Sequence, residues 1–139
     1  MAAALTLPMS APADDDTAAA AGPVFQVHPI GRVRRDGGRT TIEIEPAYRD
    51  AMLGVDELDS IWVLFWFDRN DDRARRSILQ VHPRANPDNP LRGVFATHAP
   101  VRPNLIGMTR VRILSVDGLS IEIDDIDAWD DTPVLDLKP

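Results

Sequence analysis

Apolar and polar residues alternate along much of the chain after residue 23, which is the period of a strand with one buried face. A first alternating stretch covers 24–34 with a break at Pro29, and a second covers 40–45. The Asp-Gly-Gly sequence at 36–38 lies between them and is typical of a tight turn, because glycine accepts positive φ angles. The pattern predicts a β-hairpin at the start of the folded part.

The middle of the chain shows two other patterns. Pro46 suits the first turn of a helix, and Tyr48 and Met52 follow at helical spacing, which predicts one short helix. Residues 61–67 then form a continuous apolar run of aromatic and β-branched residues. This run is too short for an average helix and favours a strand that is buried on both faces. We expect it to be the centre of the core.

The second half contains a charged loop at 68–76 and then short alternating stretches separated by prolines and glycines. The dipeptide Asp-Gly at 117–118 joins two of these stretches and predicts a second hairpin. The predicted strands of this half are 78–81, 93–97, 106–116, 119–123 and 133–137. Such a series of short strands with one or two short helices indicates a mainly-β fold. We predict a small antiparallel β-barrel, closed or nearly closed, because closure removes exposed strand edges.

Composition divides the chain into two parts. Residues 1–23 contain nine alanines, three prolines and an Asp triplet, with little that can be buried, so we predict a disordered tail here. Residues 24–139 carry the alternating pattern and form the predicted barrel domain. The chain of 139 residues is 44% apolar and 27% charged, which is typical of one soluble globular domain.

Residue usage excludes several classes of site. The chain has no cysteine, which removes disulfides, thiolate metal sites and thiol nucleophiles. Its three histidines, His28, His82 and His98, have no metal-ligand spacing, so no metal site is expected. The longest apolar run, 61–67, is far shorter than the roughly 20 residues that span a membrane. With no basic segment before Arg32 to suit a secretory signal, the expected location is the cytoplasm.

The net charge of −7 argues against broad binding to a nucleic-acid backbone, which needs a basic surface. Two groups of arginines are nevertheless candidates for local basic patches, one at 34–39 and the other at 69–76. Guanidinium groups suit bidentate contacts with phosphate or carboxylate. The same residues also fit ordinary solvated charge, and the sequence leaves both interpretations open.

General nucleotide-binding motifs do not occur in this sequence, which has no Gly-rich dinucleotide fingerprint, P-loop or nucleophile elbow. The most informative stretch is 93–108, Gly-Val-Phe-Ala-Thr-His-Ala-Pro-Val-Arg-Pro-Asn-Leu-Ile-Gly-Met. Two prolines around Arg102, followed by Asn104, predict a rigid loop that suits a ligand clamp. The alternative is a structural crossover in which Arg102 pairs with a carboxylate and Asn104 caps a turn.

This stretch resembles the signature of the TsaA-like family, which runs Gly-Val-Phe-Ala-Thr-Arg-Ser-x-x-Arg-Pro-Asn-Pro-Ile-Gly. Three further segments are similar in the same order: His-Pro-Ile-Gly at 28–31, the glycine and aromatic strand at 54–67, and the close at 127–139. The resemblance covers residues 25–139. It implies a β-barrel methyltransferase that uses S-adenosylmethionine, usually as a homodimer, here in a short form without the C-terminal extension of larger members.

The resemblance also implies an acceptor and a site. The best-known members of the family methylate N6-threonylcarbamoyl-adenosine next to the anticodon of tRNA. By position, the family's cofactor contacts fall on Asp68, Arg69, His98, Met108, Ala128, Trp129, Asp130 and Asp131. Arg102 and Asn104 would shape the acceptor pocket. Asp127 is a candidate structural or acid-base residue, and a buried carboxylate that satisfies a turn is the alternative.

Several positions depart from the family pattern. His98 stands in place of an arginine, Ala99 of a serine, Leu105 of a proline and Asp131 of a glycine, and a Pro-Arg-Gln stretch between the first two strands is missing. These changes predict a remodelled cofactor site, because imidazole is shorter than guanidinium. Two alternatives to a tRNA enzyme stay open. One is a methyltransferase of the same fold that acts on a small molecule, and the other is a non-catalytic module that binds S-adenosylmethionine or another ligand.

Overall fold

The computed structural model describes residues 22–139, so the predicted tail lies outside the described residues except for its last two positions. Six strands close into a barrel in the order β1-β2-β7-β6-β3-β8, and every neighbouring pair is antiparallel. β4 and β5 form a separate two-stranded sheet. The strands are β1 Gly31–Asp36, β2 Arg39–Ile44, β3 Ser60–Trp66, β4 Gln80–Val81, β5 Arg92–Gly93, β6 Ile106–Asp117, β7 Ser120–Ile123 and β8 Pro133–Lys138. The predicted antiparallel barrel is confirmed.

The helical segments of the described residues are short and lie between the strands. Five are 3-10 helices and one is a single α-helical turn that begins after Asp72, whose carboxylate accepts a hydrogen bond from the backbone N–H of Arg75. The 3-10 helices are Pro46–Met52, Val55–Glu57, Asp68–Asn70, Pro83–Ala85 and Val94–Ala96, and the α-helical turn is Arg73–Arg76. The helix predicted after Pro46 is therefore present in 3-10 form.

Both predicted hairpins are present. The β1–β2 turn consists of Gly37 and Gly38 with φ angles of 56° and 81°, and the β6–β7 turn begins at Gly118 with φ of 60°. Positive φ at these positions matches the right-handed twist of the flanking strands, and glycine adopts it without steric cost. The turn residues thus set the register of two of the six strand pairs.

The core lies inside the barrel, where alternate side chains of each strand meet. β3 contributes Ile61, Val63 and Phe65 to this interior, where Val111 of β6 and Val134 of β8 are their buried neighbours. Each fully buried aliphatic side chain stabilises the fold by about 1.5–3 kcal/mol relative to its exposure to water. The side chains that are completely buried in the barrel interior are Val33, Ile42, Val63, Ile121 and Val134.

Residues 24–29 do not form the strand that their alternation predicted. Strand pairing starts at Gly31, which lies opposite Val134 of β8 and Ile44 of β2. The segment before it leaves Val24 91% and Phe25 84% exposed. Pro29 has no backbone N–H to donate to a neighbouring strand, which disfavours strand pairing at this position. The segment therefore lies on the surface in spite of its alternating pattern.

Other predictions for the middle of the chain also need correction. β3 is buried on one face, whereas its other face carries the partly exposed Trp62, Leu64 and Trp66, because a barrel strand has an inside and an outside. The strand predicted at 93–97 is a 3-10 helix after Gly93, and the strand at 78–81 shortens to two residues. The charged loop at 68–76 contains two helical turns.

Asp124 couples the end of β7 to β6 and should make stability depend on pH. Its carboxylate accepts hydrogen bonds from the backbone N–H groups of Asp125 at 2.8 Å and Arg112 at 2.9 Å, and these hold its pKa below the ordinary value of 3.8. The unfolded chain therefore takes up this proton first as pH falls, and the stabilisation is lost below about pH 4. We expect Asp124→Asn to flatten the fall in melting temperature between pH 5 and pH 2, measured by circular dichroism.

Candidate functional site

A cavity of about 640 Å³ opens at one end of the barrel, where β3 ends and β6 and β8 begin. Two loops complete its wall: the stretch that precedes β6 and the stretch that precedes β8. A volume of this size accommodates a nucleoside-sized or drug-sized ligand. Side chains from four separate parts of the sequence meet here. They are Leu64–Asn70, then Phe95, Thr97, His98, Pro100 and Arg102, then Ile106–Thr109, and finally Asp127–Trp129 with Thr132.

Aromatic side chains form much of this wall. Phe65 and Phe67 pack edge to face, with ring centroids 5.2 Å apart and planes at 77°. Their rings fill the space beside Gly107, where a Cβ atom would lie 2.6 Å from one carbon of the Phe65 ring. Phe95 and Trp129 are 84% and 65% exposed although they line the cavity. Exposed aromatic faces beside a cavity are suited to stacking against a planar ligand.

The guanidinium of Arg69 lies over the ring of Trp129, 4.3 Å from its centroid. This cation–π contact joins the segment after β3 to the loop before β8 across the cavity. Beside it, the carboxylate of Asp68 and the imidazole of His98 make no side-chain hydrogen bond or ion pair within residues 22–139. Both groups are therefore available to a bound ligand.

Arg35 holds the loop that carries Ala128 and Trp129. Its Nε donates to the carbonyl oxygen of Ala128 at 2.9 Å, and its Nη2 donates to the carbonyl oxygen of Ile126. Its backbone N–H donates to the carboxylate of Asp130 at 2.8 Å. The sequence placed Arg35 in a cluster of arginines but carried no signal of this role, because its partners lie 91 to 95 positions away.

Asp130 and Asp131 were predicted to contact a cofactor, and the structure does not bring their side chains to the cavity. Asp130 binds the backbone of Arg35, and the carboxylate of Asp131 lies 2.9 Å from the guanidinium of Arg34 on β1. Asp131 also has φ of 69°, the left-handed region that glycine adopts most easily. The carboxylate of Asp131 is thus engaged with β1 and not with the cavity. Asp68, Arg69, His98, Met108, Ala128 and Trp129 line the cavity, and their contact with a cofactor stays a prediction.

The two residues predicted for the acceptor pocket, Arg102 and Asn104, and the acid-base candidate Asp127 are the candidates for a catalytic role, and their surroundings differ. Arg102 lines the cavity, but its Nη1 donates to the carbonyl oxygens of Thr97 and Ala99, both at 3.1 Å, and so it stabilises the loop that presents His98. Asn104 is exposed and is absent from the cavity wall. Asp127 lies at the cavity and is exposed, which rules out the alternative of a buried carboxylate.

The two arginine clusters mostly form ion pairs with carboxylates. Each pair joins residues whose side chains are at least partly exposed, so each contributes little to stability. The pairs are Arg34–Asp131, Arg35–Asp125, Arg39–Glu122, Arg75–Asp72 and Arg76–Asp71. In the part of the chain from 22 onwards, there is no helix of the length and apolarity needed to cross a membrane.

The closed antiparallel barrel with an aromatic-walled cavity at one end has the architecture of the class of small β-barrel proteins that the sequence predicted. Comparison with known families then makes the assignment specific. The chain belongs to the family of the tRNA-methyltransferase O N-terminal domain, whose family model matches residues 26–139.

Relatives and solved structures agree with this family. A probable S-adenosyl-L-methionine-binding protein of Methanocaldococcus jannaschii is 43% identical over 115 residues, which are 83% of this chain and 91% of the relative. The tRNA (adenine(37)-N6)-methyltransferase of Homo sapiens is 37% identical over 89 residues, 64% of this chain and 20% of the human protein. The crystal structure of TrmO from Pseudomonas aeruginosa matches with a TM-score of 0.63 at 28% identity, over 84% of this chain. This chain spans 56% of the length of that TrmO chain.

Proposed function

We propose that this protein methylates N6 of an adenosine in tRNA, with threonylcarbamoyl-adenosine as the acceptor. The observation that carries the proposal is the cavity at the barrel end, which collects the predicted cofactor positions Asp68, Arg69, His98, Met108 and Trp129 from four distant parts of the sequence. Relatives named as tRNA (adenine(37)-N6)-methyltransferases support the acceptor.

The residues at the cavity fit S-adenosylmethionine. The exposed rings of Phe95 and Trp129 offer faces for an adenine ring and for a sulfonium cation, which aromatic quadrupoles attract. The carboxylate of Asp68 suits an ammonium group, and the guanidinium of Arg69 and the imidazole of His98 suit a carboxylate. The cofactor's amino-acid part thus finds partners of both signs in this one cavity.

S-adenosylmethionine supplies an activated methyl group, and the protein has mainly to hold donor and acceptor in line. Here Arg102 orders the loop that carries His98, and Arg35 orders the loop that carries Trp129. The exposed carboxylate of Asp127 lies at the cavity and is our candidate for the group that receives the proton of the acceptor nitrogen.

The proposal includes a homodimer and a cytoplasmic location. Val24 and Phe25 are adjacent apolar residues that are 91% and 84% exposed, which supports burial of this segment against a second copy. A location in the cytoplasm goes together with tRNA as the acceptor.

One observation favours a small-molecule acceptor as the second candidate. The arginines at 34–39 are engaged with carboxylates, so this part of the surface presents no free row of cations to a phosphate backbone. A small acceptor needs no such row.

Calorimetric titration with S-adenosylmethionine and S-adenosylhomocysteine tests the proposal, followed by transfer of labelled methyl to tRNA and digestion to nucleosides. We expect saturable binding, a roughly tenfold loss of affinity in His98→Ala through removal of one charge-assisted contact, and no change in Arg49→Ala outside the cavity. Methyl label on the modified adenosine supports tRNA as the acceptor. Binding without transfer to tRNA supports the small-molecule candidate, and no binding at millimolar cofactor leaves the non-catalytic module.

A further inference from the structure

The loop that carries His98 contains no helix or strand from residue 97 to residue 105, so its position depends on contacts with other groups. We call these residues the His98 loop. Two of them are prolines, which have no backbone N–H to donate. The last residue is fixed, because Leu105 is fully buried and its carbonyl oxygen accepts a hydrogen bond from the backbone N–H of Phe67 at 2.8 Å. The part before it needs other anchors.

Two guanidinium groups bind backbone carbonyl oxygens of the His98 loop. Arg102 belongs to the loop and donates to the carbonyl oxygens of Thr97 and Ala99. Arg76 belongs to the segment that follows β3, and its Nε donates to the carbonyl oxygen of Pro103 at 2.9 Å. The N-terminal half of the loop is thus held from within, and the C-terminal half is held from another part of the chain.

Arg76 is itself held in place by two side chains. Its Nη1 lies 3.3 Å from one carboxylate oxygen of Asp71, and the other oxygen of this carboxylate accepts a hydrogen bond from the indole Nε1 of Trp66 at 3.1 Å. The guanidinium also lies over the ring of Trp66, 5.8 Å from its centroid. Because a carboxylate and an indole ring fix the plane of the guanidinium, its Nε–H stays directed at Pro103.

The surroundings of Arg76 indicate what these contacts do. The side chains of Arg76 and Asp71 are 33% and 44% exposed, so their ion pair contributes little to stability. Neither residue lines the cavity at the barrel end, and so neither is placed to touch a ligand there. Their contacts join two segments that both contribute to the cavity wall, one with Asp68 and Arg69 and the other with His98.

We propose that Arg76 is a positioning residue, which sets the place of His98 relative to Asp68 and Arg69 and thereby acts on cofactor affinity through His98. The proposal rests on the proposed function, because it takes the cavity as the site of S-adenosylmethionine. The ammonium and carboxylate groups of the cofactor's amino-acid part are a fixed distance apart, so their partners in the protein must keep a matching separation. A bridge that maintains this separation before the cofactor binds lowers the entropic cost of binding.

Hydrogen exchange, measured by NMR on the full ¹⁵N-labelled chain without a cofactor, tests whether Arg76 holds the loop. Its probes are the hydrogen-bonded backbone N–H groups of Thr97 and Ala99, at the end of the loop far from Pro103 in sequence. Arg76→Met keeps the length of the side chain and loses its hydrogen bonds, and we expect both amides to exchange about fivefold faster.

Arg75→Met is the matched control for the exchange experiment. Arg75 is the neighbouring arginine in the same helical turn, and its guanidinium binds Asp72 within that turn. This substitution removes one arginine from the same segment but no contact with the His98 loop. We therefore expect unchanged exchange at both amides.

Calorimetric titration with S-adenosylhomocysteine then shows whether Arg76 acts through His98. We expect Arg76→Met to weaken binding about fivefold and Arg75→Met to leave it unchanged. In a chain that already carries His98→Ala, the same Arg76→Met substitution should have almost no further effect, because the imidazole that it displaces is gone. A residue that only supports the fold would weaken binding by the same factor in both backgrounds.

Three results would overturn the inference: unchanged exchange at Thr97 and Ala99 in Arg76→Met, equal affinities of Arg76→Met and the parent chain, or a loss of affinity that multiplies with that of His98→Ala. Failure of the parent chain to bind S-adenosylhomocysteine would instead contradict the proposed function. The exchange rates would still decide, in that case, whether Arg76 holds the loop.

Discussion

Replacement of Arg35 by methionine is expected to weaken the binding of S-adenosylhomocysteine at least tenfold while the barrel stays folded. Arg35 donates to the carbonyl oxygens of Ala128 and Ile126, and methionine keeps the length of the side chain but none of these hydrogen bonds. Hydrogen bonds from a charged donor contribute about 1.5–3 kcal/mol each. Their loss releases the loop that presents Trp129 to the cavity. Calorimetric titration measures the affinity, and thermal melting shows whether the fold persists.

Arg39→Met is the matched control for this experiment. Arg39 lies on the same hairpin, but its guanidinium pairs with Glu122 at 2.7 Å on an exposed surface, away from the cavity. Such a pair contributes about 0–1 kcal/mol, so we expect a small change in melting temperature and no change in affinity. Arg35→Lys should not restore binding, because an ammonium group cannot span two carbonyl oxygens as a planar guanidinium does. Equal affinities of Arg35→Met and Arg39→Met would show that the loop keeps its position without Arg35.

Gly107→Ala is expected to have two effects: it destabilises the barrel, and it distorts the cavity wall. An added Cβ would lie 2.5 Å and 2.6 Å from two atoms of the Phe65 ring and 2.8 Å from Phe67, so both rings must move. Overfilling a packed core in this way costs about 1–3 kcal/mol. Because Phe65 and Phe67 line the cavity, the same variant should also lower the affinity for S-adenosylhomocysteine. Chemical denaturation measures the first effect and calorimetry the second.

Gly93→Ala separates this steric effect from the general effect of removing a glycine. Gly93 has φ of −64°, and its nearest new neighbour would be the carbonyl oxygen of Leu79 at 3.9 Å. Alanine is allowed there, and a stabilisation of up to about 1 kcal/mol is expected through the smaller entropy of the unfolded chain. If Gly107→Ala is as stable as the parent protein, the contact between β6 and the two rings is looser than the structure shows.

Alternating apolar residues and turn glycines predicted the two hairpins of the barrel correctly. The alternation of β2 and β6 and the glycines of the two hairpin turns are properties of a few neighbouring residues, and both hairpins are present. The same alternation was misleading at 24–29, because it does not show whether a partner strand exists. The apolar run of β3 predicted burial on both faces, and the outer face is only partly covered.

Position along the family signature predicted which residues contact a cofactor, and six of those eight residues line one cavity. His98, Arg69 and Trp129 are among the six, whereas the carboxylate of Asp131 pairs with Arg34. The family motif shows that an aspartate replaces a glycine at 131. It shows neither the left-handed backbone at that position nor the arginine on another strand with which the aspartate pairs.

The amino-acid sequence by itself determined the barrel strands, the tight turns, the antiparallel barrel and the family, because hydrophobic periodicity, glycine conformations and short motifs are local properties of the chain. Only the tertiary structure decided how the site is held together. Arg35 is 93 positions from the Ala128 carbonyl that it binds, and Arg69, His98 and Trp129 line one cavity although they come from separate segments. Contacts of this kind depend on which chain segments the closed barrel brings to the same end, and no local pattern records that.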